Sequence, residues 1–450
     1  MSTAPGPMQP VPLDLQLDPP RPVLRLGAGF VVFLAALFQY VGTNPLSGGD
    51  VDLVNLSTIG NTVNQLGRIG ICVLTVPIFL MNYKQTLVLL KVAAPLLVIY
   101  LWFAITILWS DYPAITLRRL IGDGLLLFML FAAIPASAGA RSLFWSLAAA
   151  LAAVILFNWA SIVLFPGLTE SPIGTRGIYT NKNTAGSVAL VSCVVLGGAC
   201  FVATDRRKRA VLFGLWLLAI AFLYKTESKT SQGVAALVLV GFPVVYLLFV
   251  RSKASGILLA TAALAAVAAA VVLLASFDLG REWILTAIFG DPTLTQRTTI
   301  WSSLLQNLQA RPILGVGWAA FWDVGNKLNP INAPANAFFR NAALINTAHN
   351  GYIDIVLQAG LVALLLKLIV ITRLLYVYAG LLVRPELALP DRRVLASFTA
   401  LALALVVNNL TESMIFRAGD PFSFTFQFVY LFGEWACLQT SRSIAAVPFR

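Results

Sequence analysis

The chain has 450 residues, 59% hydrophobic and only 11% charged, which excludes a string of soluble domains and reads as one polytopic membrane domain. A net charge of +12 would suit nucleic acid, but the basic residues are dealt out over short loops between apolar runs, so no nucleic-acid partner is expected. The four cysteines, Cys72, Cys193, Cys200 and Cys437, all fall inside hydrophobic segments. That argues against a disulfide framework or a metal cluster in aqueous loops.

Residues 1–23 hold seven prolines and no apolar run, and are expected to form a disordered tail. They lack the basic-then-apolar layout of a cleaved signal. Twelve apolar runs follow, at 24–41, 66–82, 92–109, 119–137, 143–165, 184–203, 209–224, 232–250, 256–276, 351–380, 393–410 and 421–438. Each is read as a membrane-crossing helix, the conformation that satisfies its own backbone in lipid. The expectation is an all-α polytopic protein: helices 1–9 within 24–276, a long loop at 277–349, helices 10–12 within 350–440, and a short tail at 441–450.

Charge sets the orientation. Lys84, Lys91, Arg141, the run Arg206-Arg207-Lys208-Arg209, Arg251, Lys253, Arg384, Arg392 and Arg393 all lie in alternate loops. By the positive-inside rule those loops and both termini are cytoplasmic, and the 277–349 loop is periplasmic. Four even-numbered helices then begin at the outer face on polar clusters: Trp109-Ser110-Asp111-Tyr112-Pro113 with Arg118-Arg119, Gly177 to Asn183, Ser228 to Gln232, and His349-Asn350. Asn183, Thr230 or Ser231, and Asn350 are suitable N-cap residues. Helix N-termini attract anions, whereas Arg118 and Arg119 are unfavourable there unless an external anion meets them. The bland alternative is ordinary caps, with arginines against lipid headgroups.

Within the long loop, Thr293 to Gln309 is amphipathic, with Ile300, Trp301, Leu304, Leu305 and Leu308 on one face. It is either a helix lying in the interface or a platform beside a site. Gly315-Val316-Gly317 after it suits a close backbone approach.

No nucleotide loop, His-x-x-x-His pair or Cys-x-x-Cys is present. Asp50-Val51-Asp52 has the form of a metal–diphosphate carboxylate pair, but such a tripeptide is common by chance. Asp123, Lys367 and Glu434 are ionisable groups within helices; a transporter would need such groups. What remains is a cationic cavity, with Arg118, Arg119, Arg176, Lys182, Lys229, Arg297, Arg311 and Arg340 available to grip oxygens, beside His349, the single histidine of the chain. Arginine forks suit diphosphate, and an imidazole can deprotonate an attacking hydroxyl.

These segments resemble the O-antigen ligase and Wzy-type polysaccharide polymerase superfamily of bacterial inner-membrane proteins. The resemblance rests on Arg297-x-x-x-Trp301, Pro312-Ile-Leu-Gly315-Val-Gly317, His349-Asn350-Gly-Tyr352 leading to Gly360-Leu361, Trp109-Ser110-Asp111-x-Pro113, Gly177-x-x-x-Asn181-Lys182-Asn183 and Asn409-Leu410-Thr411-Glu412-Ser413, spanning about 109–415. It implies a GT-C-like membrane glycosyltransferase, metal-independent and without a cofactor, that takes a polyprenyl-diphosphate-linked glycan and inverts the anomeric carbon. By that analogy Arg118, Arg119, Arg176 and Arg297 hold the diphosphate, and Asn181, Asn183, Trp301, Asn350 and Tyr352 meet the substrate. His349 is the catalytic base on the acceptor hydroxyl. Gln358 stands where other members carry an acidic residue, so Glu412 becomes the candidate carboxylate, either orienting His349 or itself the base. The Thr411-Glu412-Ser413 and Asn181-Lys182-Asn183 segments lean toward exopolysaccharide polymerases, with a chain-length regulator or export complex as a possible partner. A ligase acting on lipid A or protein, and a transporter of lipid-linked glycan or a small anion, are the alternatives.

Overall fold

The computed structural model describes residues 22–42, 45–46, 62–251, 297–326, 346–384 and 387–445. The Pro-rich tail up to 21, Asp50 and Asp52, the ninth apolar run at 256–276, Arg340 and most of the 277–349 loop lie outside the described residues. Among the described residues every regular element is a helix: α1 (Pro22–Val41), α2 (Thr62–Val92), α3 (Ala94–Ile105), α4 (Pro113–Ala136), α5 (Ala140–Leu164), α6 (Lys182–Val202), α7 (Arg206–Lys225), α8 (Lys229–Ala236), α9 (Phe242–Arg251), α10 (Arg297–Leu308), α11 (Gly351–Leu382), α12 (Leu389–Asn408) and α13 (Pro421–Ala445).

Six of these, α1, α2, α4, α5, α6 and α11, are long and apolar enough to cross a bilayer by length and composition. That is half the number of runs read from the sequence, and the shortfall has local causes. Helix α3 has only 12 residues, and α8 runs through five π-helical residues, Leu237–Gly241, into α9. Helix α7 opens on four basic residues, α12 carries Asp391, Arg392 and Arg393 in its first turns, and α13 contains Gln427 and Glu434. The two carboxylates among these groups are paired with arginines of neighbouring helices. Arg373 on α11 holds Glu434 through two bonds of 2.7 and 2.9 Å, and Arg141 on α5 holds Asp391 at 3.0 Å.

Some helix starts carry side-chain caps, and two starts depart from the sequence reading. Asn181, not Asn183, caps α6 by accepting the Thr184 N–H at 2.9 Å, and Ser228 rather than Thr230 or Ser231 precedes α8. Asn350 caps α11 as expected, accepting the Tyr352 and Ile353 N–H groups at 2.9 and 3.1 Å.

Helix α11 is not one straight rod. Lys367 Nζ donates to the Gly351 carbonyl at 2.7 Å, although sixteen residues of continuous helix would separate those positions by about 24 Å. The chain reverses at Gly360, where φ is 79° and ψ 179°, so that 351–359 folds back along 361–382. The Pro312 to Gly317 segment holds this hairpin. Val316 and Gly317 donate to the Leu357 and Gln358 carbonyls at 3.1 and 2.9 Å, and Leu361 donates to Pro312 at 2.9 Å. Trp102 takes the Ala359 carbonyl at 2.9 Å. The orphan carbonyls at the end of the short helix are thus satisfied by a neighbouring segment. Gly315 is at φ 68° with its Cα against the Gln358 backbone, which is the close approach anticipated for this motif.

Residues in or beside three of the polar clusters named in the sequence bond to or pack on neighbouring segments. Asp111 N–H donates to Val316 at 2.9 Å and its carboxylate takes Arg311 at 2.7 Å. Gly351 N–H donates to Asn409, Asn408 reaches Ser187 on α6 at 3.1 Å, and Gly186 packs against Ser228 and Ser231.

Candidate active site

His349 sits immediately before the Asn350 cap, in a left-handed conformation with φ 47°. Three bonds fix that backbone. Thr347 Oγ1 accepts the His349 N–H at 3.2 Å, Trp301 Nε1 donates to the Ala348 carbonyl at 2.8 Å, and Gly351 N–H donates to Asn409 at 2.9 Å.

The loop between α12 and α13 comes to meet it. Asn409 Oδ1 accepts the N–H groups of Met414 and Ile415 at 3.2 and 2.9 Å, and Glu412 N–H donates to Asn408 at 2.8 Å. This tight turn presents Glu412 between two partners. Its Oε2 lies 2.9 Å from His349 Nδ1, and its Oε1 accepts Arg297 Nη2 at 2.6 Å. The Arg297 and Glu412 side chains are only 8% and 11% exposed, while the His349 ring keeps 25%. A carboxylate on Nδ1 favours the tautomer with its proton there and leaves Nε2 with a lone pair for a substrate hydroxyl.

Burial by itself would raise the Glu412 carboxyl, but the hydrogen bond and charge of His349, with Arg297, outweigh it and hold the group below its ordinary value. A carboxyl depressed in the folded state adds stability that is present above its unfolded value, about 4.3, and is lost as pH falls through the folded one. Glu412→Gln should therefore lower the melting temperature most at neutral pH, with the gap to the unsubstituted protein narrowing below pH about 4. Equal gaps at pH 7 and in acid would show that Glu412 is not held ionised.

The Arg297-x-x-x-Trp301 spacing now has a physical meaning. Positions i and i+4 share one helix face, so α10 braces Glu412 with one side chain and the backbone before His349 with the other. Its apolar face packs on protein: Ile300 and Leu304 are buried with Val316, Phe321, Trp322 and Leu357, whereas Leu305 stays exposed. Ile300 and Leu304 of this stretch therefore lie against protein, not at a lipid-facing surface.

The other candidate residues are dispersed. Arg119 donates to the Ala319 carbonyl, and both it and the preceding Arg118 line a cleft toward α2. Arg176 donates to Leu168 at 2.8 Å, in the loop before α6, with no contact to His349 among the described residues. Asn181 is spent on its cap, Asn183 is half-buried in the first turn of α6, and Tyr352 OH lies 3.4 Å from the Val406 carbonyl.

Sequence reasoning did not identify the role of Lys367. It is fully buried, donates to Gly351 and to Ile415 at 2.7 and 3.1 Å, and lies 4.9 Å from the Tyr352 ring centroid. It therefore ties the His349 helix to the Glu412 loop. Asp123 likewise accepts the Gly419 N–H at 2.8 Å and is reached by Tyr100 OH at 3.4 Å. Asp354, five residues after His349, accepts Trp322 Nε1 and serves that same support.

Two known groups of proteins are similar to this chain. Residues 213–368 match the family model described as O-antigen ligase (Wzy_C), a region that includes Arg297, Trp301, His349 and Lys367 but not Glu412 or the Arg118–Arg119 pair. The chain is 28% identical over 321 residues to the exopolysaccharide production protein ExoQ of Rhizobium meliloti (strain 1021), covering 66% of this chain and 68% of that protein. The two matches support the O-antigen ligase/Wzy-like superfamily as the family of this membrane protein.

Proposed function

We propose that the chain is a membrane glycosyltransferase that polymerises polyprenyl-diphosphate-linked oligosaccharide repeat units during exopolysaccharide synthesis. The observation that carries this reading is the Arg297–Glu412–His349 relay, with an imidazole oriented by a buried carboxylate and partly open to solvent. His349 Nε2 accepts the proton of the acceptor hydroxyl while that oxygen attacks the anomeric carbon. The carbon–oxygen bond to the diphosphate breaks, the electron pair leaves with the diphosphate, and the anomeric centre inverts. Glu412 stabilises the imidazolium that forms, as an orienting carboxylate does in other His-based sites. Arg118 and Arg119, on the same end of the bundle, are the cations nearest in role to a diphosphate clamp. The distribution of Lys and Arg supports an inner-membrane protein with both termini in the cytoplasm and this site at the periplasmic face.

The similarity to an exopolysaccharide production protein favours polymerase, while the description of the matched family model keeps ligase as the second reading. A transporter draws less support, because Asp123 and Lys367 are engaged in bonds that shape the site loop. Purified protein in liposomes, given a polyprenyl-diphosphate repeat unit and no other acceptor, is expected to yield a ladder of multiples on a gel. Single transfer to added lipid A or protein without a ladder would replace polymerase by ligase. No transfer to any acceptor, with intact donor, would remove the glycosyltransferase reading.

A further inference from the structure

A pocket of about 480 Å³ opens between the loop before α6 and the turn that leads from α7 into α8. Helix α6 joins its wall to the loop that meets His349. Gly186 packs on Ser228 and Ser231, Ser187 accepts from Asn408, and the adjacent Asn409 accepts the Gly351 N–H. The two sides of the pocket are fastened to each other. Thr175 N–H donates to the Lys225 carbonyl at 3.0 Å, and Lys225 Nζ reaches Glu170 at 2.9 Å. Gln232 Nε2 donates to the Leu223 and Tyr224 carbonyls at 3.3 and 3.2 Å. Gly174 stands at φ 133°, where a Cβ would collide with the Thr226 carbonyl oxygen, so the loop lies directly on the turn. Next to it Glu227 is held at φ 51°, a left-handed conformation that residues with side chains rarely adopt. Strain of this kind persists only where the surroundings enforce it, and it clusters at ligand clamps.

The lining says what such a clamp would hold. Every lining residue except Gly174 carries a polar side-chain atom, so a lipid tail finds no apolar wall there. Glu170 and Glu227 balance Lys225 and Lys229, and a balanced site favours neither a phosphate nor a cation. The aromatic residue of the lining is Tyr224, 78% exposed. An exposed tyrosine near a membrane boundary is ordinarily an anchor, but an anchor needs no carboxylates beside it. A ligand with one apolar face and a girdle of hydroxyls uses both features. A pyranose has that form: its C–H face stacks on the ring, and its hydroxyls donate to carboxylates and accept from ammonium groups. The volume falls in the range of small-ligand sites.

We infer that this pocket is a saccharide subsite, with a sugar ring on Tyr224 and its hydroxyls on Glu227. It takes a part of the lipid-linked glycan remote from the reacting carbon, and so contributes to the choice of sugar. The inference rests on the glycosyltransferase reading for its substrate, but saccharide binding is measured without transfer.

The probe is the lipid-free repeat-unit oligosaccharide of the source organism's exopolysaccharide, titrated onto the full-length protein in nanodiscs and followed by saturation-transfer NMR. Tyr224→Ala removes the platform. Glu227→Gly removes the carboxylate and also relieves the left-handed strain, so it does not endanger the fold. Tyr376→Ala, at a 72% exposed tyrosine of α11 outside the pocket, is the control. The expected result is binding that weakens about fivefold or more in both pocket variants, the size of one aromatic or hydrogen-bonded contact. Binding should be unchanged in the control and undisturbed by inorganic phosphate. No binding to the unsubstituted protein, unchanged binding in either pocket variant, an equal loss in Tyr376→Ala, or displacement by inorganic phosphate would overturn the subsite. Saccharide binding by a protein that transfers no glycan would remove the enzymatic reading and leave the subsite standing. Transfer by a protein without such binding would do the reverse.

Discussion

His349→Ala is expected to lower turnover by on the order of 10²- to 10⁴-fold while the protein still inserts and purifies, with a smaller loss of melting temperature than the other two members of the site give. The reason lies in what each variant leaves behind. Without the imidazole, Glu412 still has Arg297 at 2.6 Å, so no buried charge is stranded. Removing the other members behaves differently. Arg297→Ala leaves Glu412 with His349 as its remaining partner, and Glu412→Gln leaves the arginine without a carboxylate in a site that is almost closed to solvent. Breaking a buried pair in this way costs roughly 3–5 kcal/mol, so those two variants should lose stability and turnover together. Single-turnover rates, measured beside melting temperatures in the same detergent, separate the two patterns. If His349→Ala kept more than about a tenth of the turnover, His349 would not be the base, and the proton would have to pass to Glu412 directly.

The parts of this arrangement that were legible in the sequence are those that local rules govern. Asn350 reads as a cap because amide side chains accept N–H groups two and three residues on, and it does so. The α10 stripe reads as amphipathic, and Ile300 and Leu304 are buried. The pairing of His349 with Glu412 spans 63 residues, and periodicity carries no information about it; only the resemblance to a family brought Glu412 forward. The family resemblance gives Arg297 to the diphosphate, a role that arginine forks suit. In the structure one of its nitrogens is on Glu412, a partner that charge counting along the chain does not reveal. The run 351–380 read as one helix because its apolar pattern continues on both sides of Gly360, and a single glycine is tolerated within helices.

Gly360→Ala should therefore be among the most disruptive single substitutions outside the relay, at a position that touches no reacting group. With φ 79° and ψ 179°, the residue occupies a region that is essentially restricted to glycine. An added Cβ would also collide with the Ile313 carbonyl, which is backbone and cannot swing aside. Strain of this kind alone costs about 1–3 kcal/mol, and the clash adds to it. The consequence is not confined to the turn. If the 351–359 segment cannot fold back, Lys367 loses Gly351, Val316 and Gly317 lose their carbonyls, and the Asn350 cap no longer sets His349 beside Glu412. The expected outcome is a lowered melting temperature together with lost transfer activity. Leu361→Ala, one residue further on at a half-exposed site, should change either by little. A Gly360→Ala protein with unchanged melting and activity would mean that α11 can run straight, and would remove the hairpin as the element that positions His349.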